Sequence, residues 1–193
     1  RIKNPSLVVQ AAVSLLVRHP DLLVSFTFAG PNNPSGPHLP DPITELRALI
    51  PETHASRFNF TGSVPRALYP RFACNYDVGI IASMFESFNM VAHELTYLGL
   101  PLIISDFVAF SEYFNQNNAF VYQRGNISSL EQAMLHAIKG LSSRHIAPLK
   151  YPSHIAPYQC LLSDSNSTDK QRATWWQSED ASSARHILEK LPL

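Results

Sequence analysis

Two glutamates separated by seven residues, Glu86 and Glu94, are spaced in a way that could hold a ligand. If a helix starts near Ser87, the amide groups of residues 87–90 lack intrahelical acceptors. Together with the helix dipole they form a binding site for a phosphate or a pyrophosphate. At a helical rise of about 1.5 Å per residue, Glu94 then lies roughly 12 Å beyond Glu86. A carboxylate at each end of an anion site can hold the hydroxyl groups that flank a diphosphate, which is the layout of a nucleotide sugar.

The segments around these glutamates predict one strand–helix–strand unit. Residues 76–82 form a short apolar run, typical of a strand buried on both faces. Residues 88–98 can form a helix that Gly99 ends, and residues 100–105 read as a second buried strand. Such a unit belongs to a parallel sheet. The spacing alone also fits a solvated loop acid followed by a surface acid of the helix.

The sequence ESFNMVAHE at residues 86–94, followed by LGLPLIISD at residues 98–106, resembles the Glu-x7-Glu motif of retaining glycosyltransferases. The similarity covers residues 3–141 and is closest to the nucleotide-sugar-binding C-terminal domain of the GT-B fold, in the glycogen-synthase-like and mannosyltransferase-like family. It implies a doubly wound, Rossmann-like α/β domain. It also implies an enzyme that transfers a hexosyl group from a nucleoside-diphosphate sugar to an unknown acceptor, with no metal or other cofactor.

The resemblance implies a role for each of several residues. Glu86 would orient the hydroxyl groups of the donor sugar as a catalytic residue, and Glu94 would hold the ribose. Lys3 would be the second catalytic residue and bind the diphosphate as a point charge, although its position alone also fits an ordinary exposed lysine near a chain end. The other donor-binding residues would be Gly62 at a strand end, Val64 through its backbone to the base, and Ser87, Phe88, Asn89 and Met90 in the loop.

The chain departs from the family pattern at the diphosphate site. The family usually has Gly-Phe-Gly where residues 87–89 read SFN, and its phosphate-binding arginine would lie ahead of Arg1. His93 stands where the family has an apolar residue, which indicates a packed helix histidine rather than a catalyst. These departures leave a non-catalytic nucleotide-sugar-binding or interaction module as one alternative. An unrelated doubly wound domain, such as a NAD-binding or flavodoxin-like domain, is another.

Alternating strands and helices predict the topology. Strands are expected at residues 22–29, 57–61, 76–82, 100–105 and 119–123, and helices at 6–19, 42–50, 65–73, 88–98, 107–113 and 128–141. In the family's strand order, 3-2-1-4-5-6, the first strand would precede Arg1, and its absence leaves a gap in mid-sheet. The domain is expected to span residues 1–141, with an irregular excursion at 142–170 and a C-terminal helix at 171–193 packing back on it.

Local signals predict where three helices begin. Asn4 is expected to cap the first helix, with Pro5 at its first position. Asp41 is expected to cap the second. Ser128 and Glu131 have the spacing of a capping box for the last helix of the domain.

The composition argues against several functional classes. The formal net charge is zero and no basic block occurs, which argues against a nucleic-acid partner. No apolar run approaches the ~20 residues of a membrane span. The eight histidines lack metal-ligand spacing, and no Walker loop or dinucleotide-binding glycine motif occurs. The expected partners are a nucleotide sugar, an acceptor and, by resemblance, an N-terminal GT-B domain of the same parent chain.

Overall fold

Helices and parallel strands alternate along the chain, as the sequence predicts. The computed structural model describes residues 3–32, 41–86, 89–107, 114 and 119–140. The helices are α1 (Pro5–Arg18), α2 (Pro42–Arg47), α3 (Tyr69–Ala73), α4 (Met90–Tyr97) and α5 (Ile127–Gly140), with 3-10 turns at Glu52–Arg57 and Arg66–Leu68. The strands are β1 (Phe26–Ala29), β2 (Phe58–Gly62), β3 (Gly79–Ile81), β4 (Leu102–Ser105) and β5 (Ala119–Tyr122). The predicted Rossmann-like α/β class is confirmed. The predicted helix at 107–113 and the two segments after residue 141 lie outside the described residues, except that Phe107 is not helical.

The five strands form two parallel sheets rather than one. Strand β1 pairs with β2, and β3, β4 and β5 pair in that order. Among the described strands, none pairs with the remaining edge of β1 or of β3. The break therefore falls between β1 and β3, the position of the gap expected in the strand order.

The paired strands are shorter than the apolar runs that predict them. Strand β1 begins at Phe26 rather than at residue 22, although Leu22 and Val24 still pack against the core. Strand β3 likewise begins at Gly79 rather than at residue 76. An apolar run in the sequence indicates that a segment is buried, whereas a strand also needs a neighbouring strand to which it hydrogen-bonds. The residues that flank β1 and β3 have no such neighbour in the described sheets.

One apolar core joins the two sheets. Helix α1 contributes several residues with no exposed surface, and α5 lies beside it. The strands contribute the following buried residues to the same cluster: Phe26, Phe58, Ile103, Phe120 and Tyr122. Because side chains from both sheets meet here, burial against α1 and α5 holds the sheets together across the break in backbone pairing.

Helix α5 begins differently from the capping-box prediction, which is wrong. Its first turn is capped by Asn126, whose Oδ1 accepts a hydrogen bond from the Ser129 amide at 3.0 Å. Glu131 instead turns into the interface with α1, where its Oε2 accepts a hydrogen bond from the Ser14 hydroxyl at 2.8 Å. Arg18 lies 3.6 Å from the other carboxylate oxygen. A buried carboxylate needs such partners, and those on α1 compete with a local cap.

The other two helix starts agree with the sequence in position. The Asp41 carboxylate accepts a hydrogen bond from the Thr44 amide at 2.8 Å, as expected of a cap. Asn4 precedes α1 as expected, but its side chain makes no cap hydrogen bond and its backbone is left-handed, with φ 44°. This turn lies between Lys3 and the helix.

Helix α4 packs closely on β3 and β4. A Cβ added at Gly79 would lie 2.6 Å from Leu95 Cδ1 and 2.8 Å from Leu102 Cδ2, so any larger residue would force these leucine side chains to shift. Leu95 and Leu102 belong to a second apolar cluster on the opposite side of the sheet from α5. This packing fixes the position of α4, which carries one of the two motif glutamates.

Gly99 ends α4, as predicted. Its φ of 80° lies in the left-handed region that favours glycine. The Gly99 amide donates to the Thr96 carbonyl and the Leu100 amide donates to the Leu95 carbonyl, both at 3.0 Å. These two bonds form a Schellman motif, which satisfies carbonyl groups at the end of the helix.

Replacing Gly99 by alanine should lower the free energy of unfolding by about 1 kcal/mol, because an alanine Cβ is strained in this conformation. Urea denaturation of the chain measures the change. Gly99→Asn is the matched variant, and it should lose less because asparagine tolerates left-handed backbone better than alanine. Equal midpoints for Gly99→Ala and the unmodified chain would contradict this account of the helix end.

Candidate functional site

The two residues predicted to be catalytic, Lys3 and Glu86, contact each other although 83 positions separate them in the sequence. Glu86 lies in the loop after β3. Its Oε1 accepts a hydrogen bond from the Ser83 hydroxyl at 2.9 Å and is also contacted by the Lys3 ammonium. Ser83 is buried, the Glu86 side chain is 14% exposed, and the Lys3 side chain is 68% exposed. The carboxylate is thus held in place, while the lysine has room to move.

Glu94 forms a second polar group, with a partner that the sequence did not reveal. The residue is 8% exposed, and its Oε1 accepts a hydrogen bond from Arg66 Nη2 at 2.7 Å. Arg66 lies in the 3-10 turn directly after Gly62 and Val64. The ion pair therefore connects the predicted base-binding segment to the predicted ribose-binding residue. The two residues are 28 positions apart, and no local pattern links them.

Burial and the Arg66 guanidinium have opposite effects on the pKa of the Glu94 carboxyl. Burial raises the pKa of the Glu94 carboxyl above its ordinary value, because the charged form loses hydration. The Arg66 guanidinium lowers the same pKa by its charge and its hydrogen bond. Burial also raises the pKa of the nearby Tyr69 hydroxyl, and the negative charge of Glu94 adds to this effect. Of these two effects, the positive charge of Arg66 is the one that favours the ionised form of Glu94.

The start of α4 corrects the predicted anion site. The helix begins at Met90, later than the expected start near Ser87. Asn89 is its N-cap, and Asn89 Oδ1 accepts a hydrogen bond from the Ala92 amide at 3.0 Å. The side chain of Asn89 thus takes one amide that an anion would otherwise use. The estimate of roughly 12 Å between the glutamates does not apply, because it assumes a helix from Ser87 onward and Asn89 is not helical.

The remaining predicted donor-binding residues have different outcomes. Gly62 ends β2 with a φ of 72°, and its carbonyl accepts a hydrogen bond from the Gly30 amide at 2.9 Å. Val64 is half-buried on the segment that leads to Arg66. Ser87 and Phe88 lie outside the described residues.

A cluster of two aromatic rings and an arginine lies beside the Glu86 loop. Phe85 is exposed, and its ring packs edge-on against Phe107 with centroids 5.6 Å apart. The Arg124 guanidinium lies 5.3 Å from the Phe107 ring centroid and donates a hydrogen bond to the Met84 carbonyl at 3.3 Å. The loops after β3, β4 and β5 therefore meet at the carboxyl edge of the sheet, where ligands bind in open α/β folds.

Comparison with known proteins identifies the family. Residues 1–140 match the family described as glycosyl transferases, group 1. The chain belongs to this family. Membership rules out the alternative of an unrelated NAD-binding or flavodoxin-like domain, and it agrees with the glycosyltransferase resemblance of the sequence.

This glycosyl transferase domain matches only part of the length of each of its relatives. A D-inositol 3-phosphate glycosyltransferase from Corynebacterium urealyticum is 31% identical over 103 residues, which is 53% of this chain and 24% of that protein. Sucrose-phosphate synthase from Thermosynechococcus elongatus is 14% identical and superimposes with a TM-score of 0.57, over 94% of this chain and 41% of that one. An α,α-trehalose-phosphate synthase (UDP-forming) from Burkholderia xenovorans, in complex with glucose-6-phosphate, is 14% identical with a TM-score of 0.58, over 97% and 41%. The structural likenesses show that the fold is that of GT-B glycosyltransferases.

Two further features bear on the predicted partners. Within the part of the chain that the structure describes, no group of three or more histidine, cysteine, aspartate or glutamate side chains is arranged to hold a metal ion. No helix among the described residues is both long enough and apolar enough to cross a membrane.

His93, next to Glu94 on α4, should make the domain less stable in mild acid. Its ring packs on Phe114 with centroids 5.3 Å apart, and burial lowers its pKa below 6.5. The unfolded chain therefore binds this proton at a higher pH than the folded one, so stability falls as the pH drops below about 6.5. His93→Gln should flatten that fall when thermal midpoints are compared between about pH 7.5 and about pH 5.5.

The matched control is His136→Gln, since His136 is exposed on α5. It should reproduce the pH dependence of the unmodified chain. A slope for His93→Gln as steep as that of the control would contradict the role given to burial of His93.

Proposed function

We propose that this chain is the donor-binding domain of a retaining glycosyltransferase and that residues 86–94 act as its Glu-x7-Glu motif. The observation that carries the proposal is the contact between Lys3 and Glu86 at the carboxyl edge of the sheet. Family membership supports the transferase class. The second pair, Arg66 and Glu94, provides a separate acidic group joined to the segment after β2. The donor is a nucleoside-diphosphate sugar.

Each residue has a defined part in this proposal. The diphosphate binds between Lys3 and the amides of Met90 and Val91 at the start of α4, where the helix dipole favours an anion. Glu86 accepts hydrogen bonds from hydroxyl groups of the donor sugar. Glu94 accepts hydrogen bonds from the ribose, and the backbone near Val64 contacts the base.

The ion pair between Lys3 and Glu86 prepares both residues for the donor. Without a ligand, each charge compensates the other at a partly exposed position. A diphosphate carries more negative charge than one carboxylate, so the mobile lysine moves to it and leaves Glu86 to the sugar. As the bond between sugar and diphosphate breaks, Lys3 and the helix amides stabilise the charge that builds on the departing phosphate. The proposed reaction requires no metal ion.

The complete enzyme contains more than this domain. The chain spans about a quarter of the length of the curated relative and about two fifths of the sucrose-phosphate and trehalose-phosphate synthases. We place the acceptor site and the remaining catalytic groups on an N-terminal GT-B domain of the same parent chain. One structural relative, the pneumococcal O-GlcNAc transferase, was solved with UDP and GlcNAc, which makes UDP a suitable first probe.

The start of α4 supports a second candidate, a non-catalytic nucleotide-sugar-binding module. The Asn89 side chain occupies the Ala92 amide, which leaves fewer amides for a leaving diphosphate. Such a module would bind the nucleotide and would not transfer the sugar. The parent protein distinguishes the two: supplied with a donor sugar, an enzyme releases the nucleoside diphosphate over time, and a binding module does not.

Glu94→Ala should weaken binding of UDP, GDP or ADP by about 10- to 100-fold. The reason is that hydrogen bonds to a charged group contribute about 1.5–3 kcal/mol, and about 1.4 kcal/mol corresponds to a factor of ten. Isothermal titration calorimetry measures this directly. Unchanged affinity would contradict the ribose role of Glu94.

Lys3→Ala should weaken binding of UDP by about tenfold and leave binding of uridine unchanged, because the lysine contacts only the diphosphate. Lys139→Ala, which removes an exposed lysine of α5, is the matched control for overall charge. A loss of affinity that is equal for UDP and uridine would show that Lys3 acts on the fold rather than on the phosphates.

A further inference from the structure

Arg66 is held against Glu94 by a short, charge-assisted hydrogen bond. The distance of 2.7 Å from Nη2 to Oε1 is within the range of strong N–H to carboxylate bonds. Glu94 is buried, whereas the Arg66 side chain is 40% exposed. The arginine thus reaches from the protein surface to the buried carboxylate of Glu94.

The bond from Arg66 occupies one of the two carboxylate oxygens of Glu94 and leaves the other able to accept a hydrogen bond from a ligand. A carboxylate has two oxygens with about four acceptor positions. Oε1 of Glu94 accepts the arginine bond, and Oε2 accepts no hydrogen bond from the described residues. One oxygen therefore anchors the side chain while the other remains available to hydroxyl groups.

Arg66 also controls the charge of that acceptor. Burial alone favours the neutral carboxylic acid, which would present a donor to one of the hydroxyls. The guanidinium favours the ionised form, which accepts from both. Burial raises the pKa of the Glu94 carboxyl above its ordinary value, and Arg66 limits that rise by its charge and its hydrogen bond.

We infer that Arg66 is a positioning residue that orients Glu94 to recognise the two ribose hydroxyl groups of a nucleoside diphosphate. The inference rests on the proposed function, and it adds a positioning residue that the motif does not contain. Because Arg66 follows Gly62 and Val64 directly along the chain, the same bond couples the segment at the base to the residue at the ribose. The alternative is an ion pair that only stabilises the domain.

The test compares ribonucleotides with 2′,3′-dideoxynucleotides. UDP, GDP and ADP, each with its 2′,3′-dideoxy form, are titrated into the chain by calorimetry. The unmodified chain should bind at least one ribonucleotide about tenfold or more tightly than its dideoxy form, the loss expected for hydrogen bonds to a charged acceptor. In Arg66→Ala, the ratio of the ribonucleotide affinity to the dideoxynucleotide affinity should fall close to one, because ribonucleotide binding weakens. The affinity for the dideoxy form should stay within about twofold of that of the unmodified chain.

Two further variants separate positioning from stability. Arg66→Lys should restore part of the ratio, because lysine keeps the charge but not the planar geometry of the guanidinium. Arg71→Ala, at an exposed arginine of α3, is the matched control and should keep the full ratio. A purely structural ion pair would lower the thermal midpoint of Arg66→Ala and leave the ratio unchanged.

The outcomes distinguish this inference from the proposed function. If the unmodified chain shows no ribose discrimination, the ribose role of Glu94 fails, and the role of Arg66 fails with it. If the unmodified chain discriminates and Arg66→Ala discriminates equally, only the inference about Arg66 is overturned. Where Arg66→Ala shows no folding transition, Arg66→Gln replaces it, and full discrimination in that variant overturns the inference as well.

Discussion

The close packing of α4 on β3 and β4 is the constraint on which the site depends. Gly79 has no side chain, and this allows Leu95 and Leu102 to fill the space between helix and sheet. A helix held this closely cannot rotate without losing core contacts. Its polar residues are therefore fixed with it: Asn89 at its start, and Glu94 facing the segment that follows β2.

Two acidic side chains are kept near the carboxyl edge of the sheet by two basic residues from distant parts of the chain. A carboxylate removed from water is costly unless a positive charge or hydrogen-bond donors compensate it. Lys3 and Ser83 do this for Glu86, and Arg66 does it for Glu94. The pairs differ in the exposure of their basic residue: the Lys3 side chain is largely exposed, whereas that of Arg66 is partly buried. This difference suits one pair to exchange partners when a ligand binds and the other to remain in place.

Among the described residues, apolar packing rather than strand pairing joins the two sheets. Backbone hydrogen bonds hold β1 to β2 and β3 to β5 through β4, but none of the described bonds joins the two groups. Helices α1 and α5 pack against each other and share one apolar cluster with strands of both groups. The buried contact of Glu131 with Ser14 adds a polar link between these helices. Hydrophobic burial, which needs no particular direction, spans a break that directional hydrogen bonds cannot.

The sequence by itself determined the features that arise from neighbouring residues. The alternation of strands and helices, the caps at Asp41 and Gly99, and the spacing of Glu86 and Glu94 depend on local periodicity and local backbone chemistry. The family resemblance added separate catalytic roles for Lys3 and Glu86, which no local pattern contains, and their contact with each other appears only in the structure. These features sufficed to predict the fold class and the place of the break in the sheet.

Only the tertiary structure decided which charges meet and where elements start. Arg66 could not be assigned to Glu94 from sequence, because the turn after β2 and the helix after β3 become neighbours only when their strands are placed in the fold. Glu131 was predicted to cap its own helix, but a partner on α1 took its carboxylate instead. Helix α4 starts later than expected, and the Asn89 side chain caps it by accepting a hydrogen bond from the Ala92 amide. In each case a polar group could pair with any of several partners at similar energy, and the packing of the chain determines which of them lies within hydrogen-bonding distance.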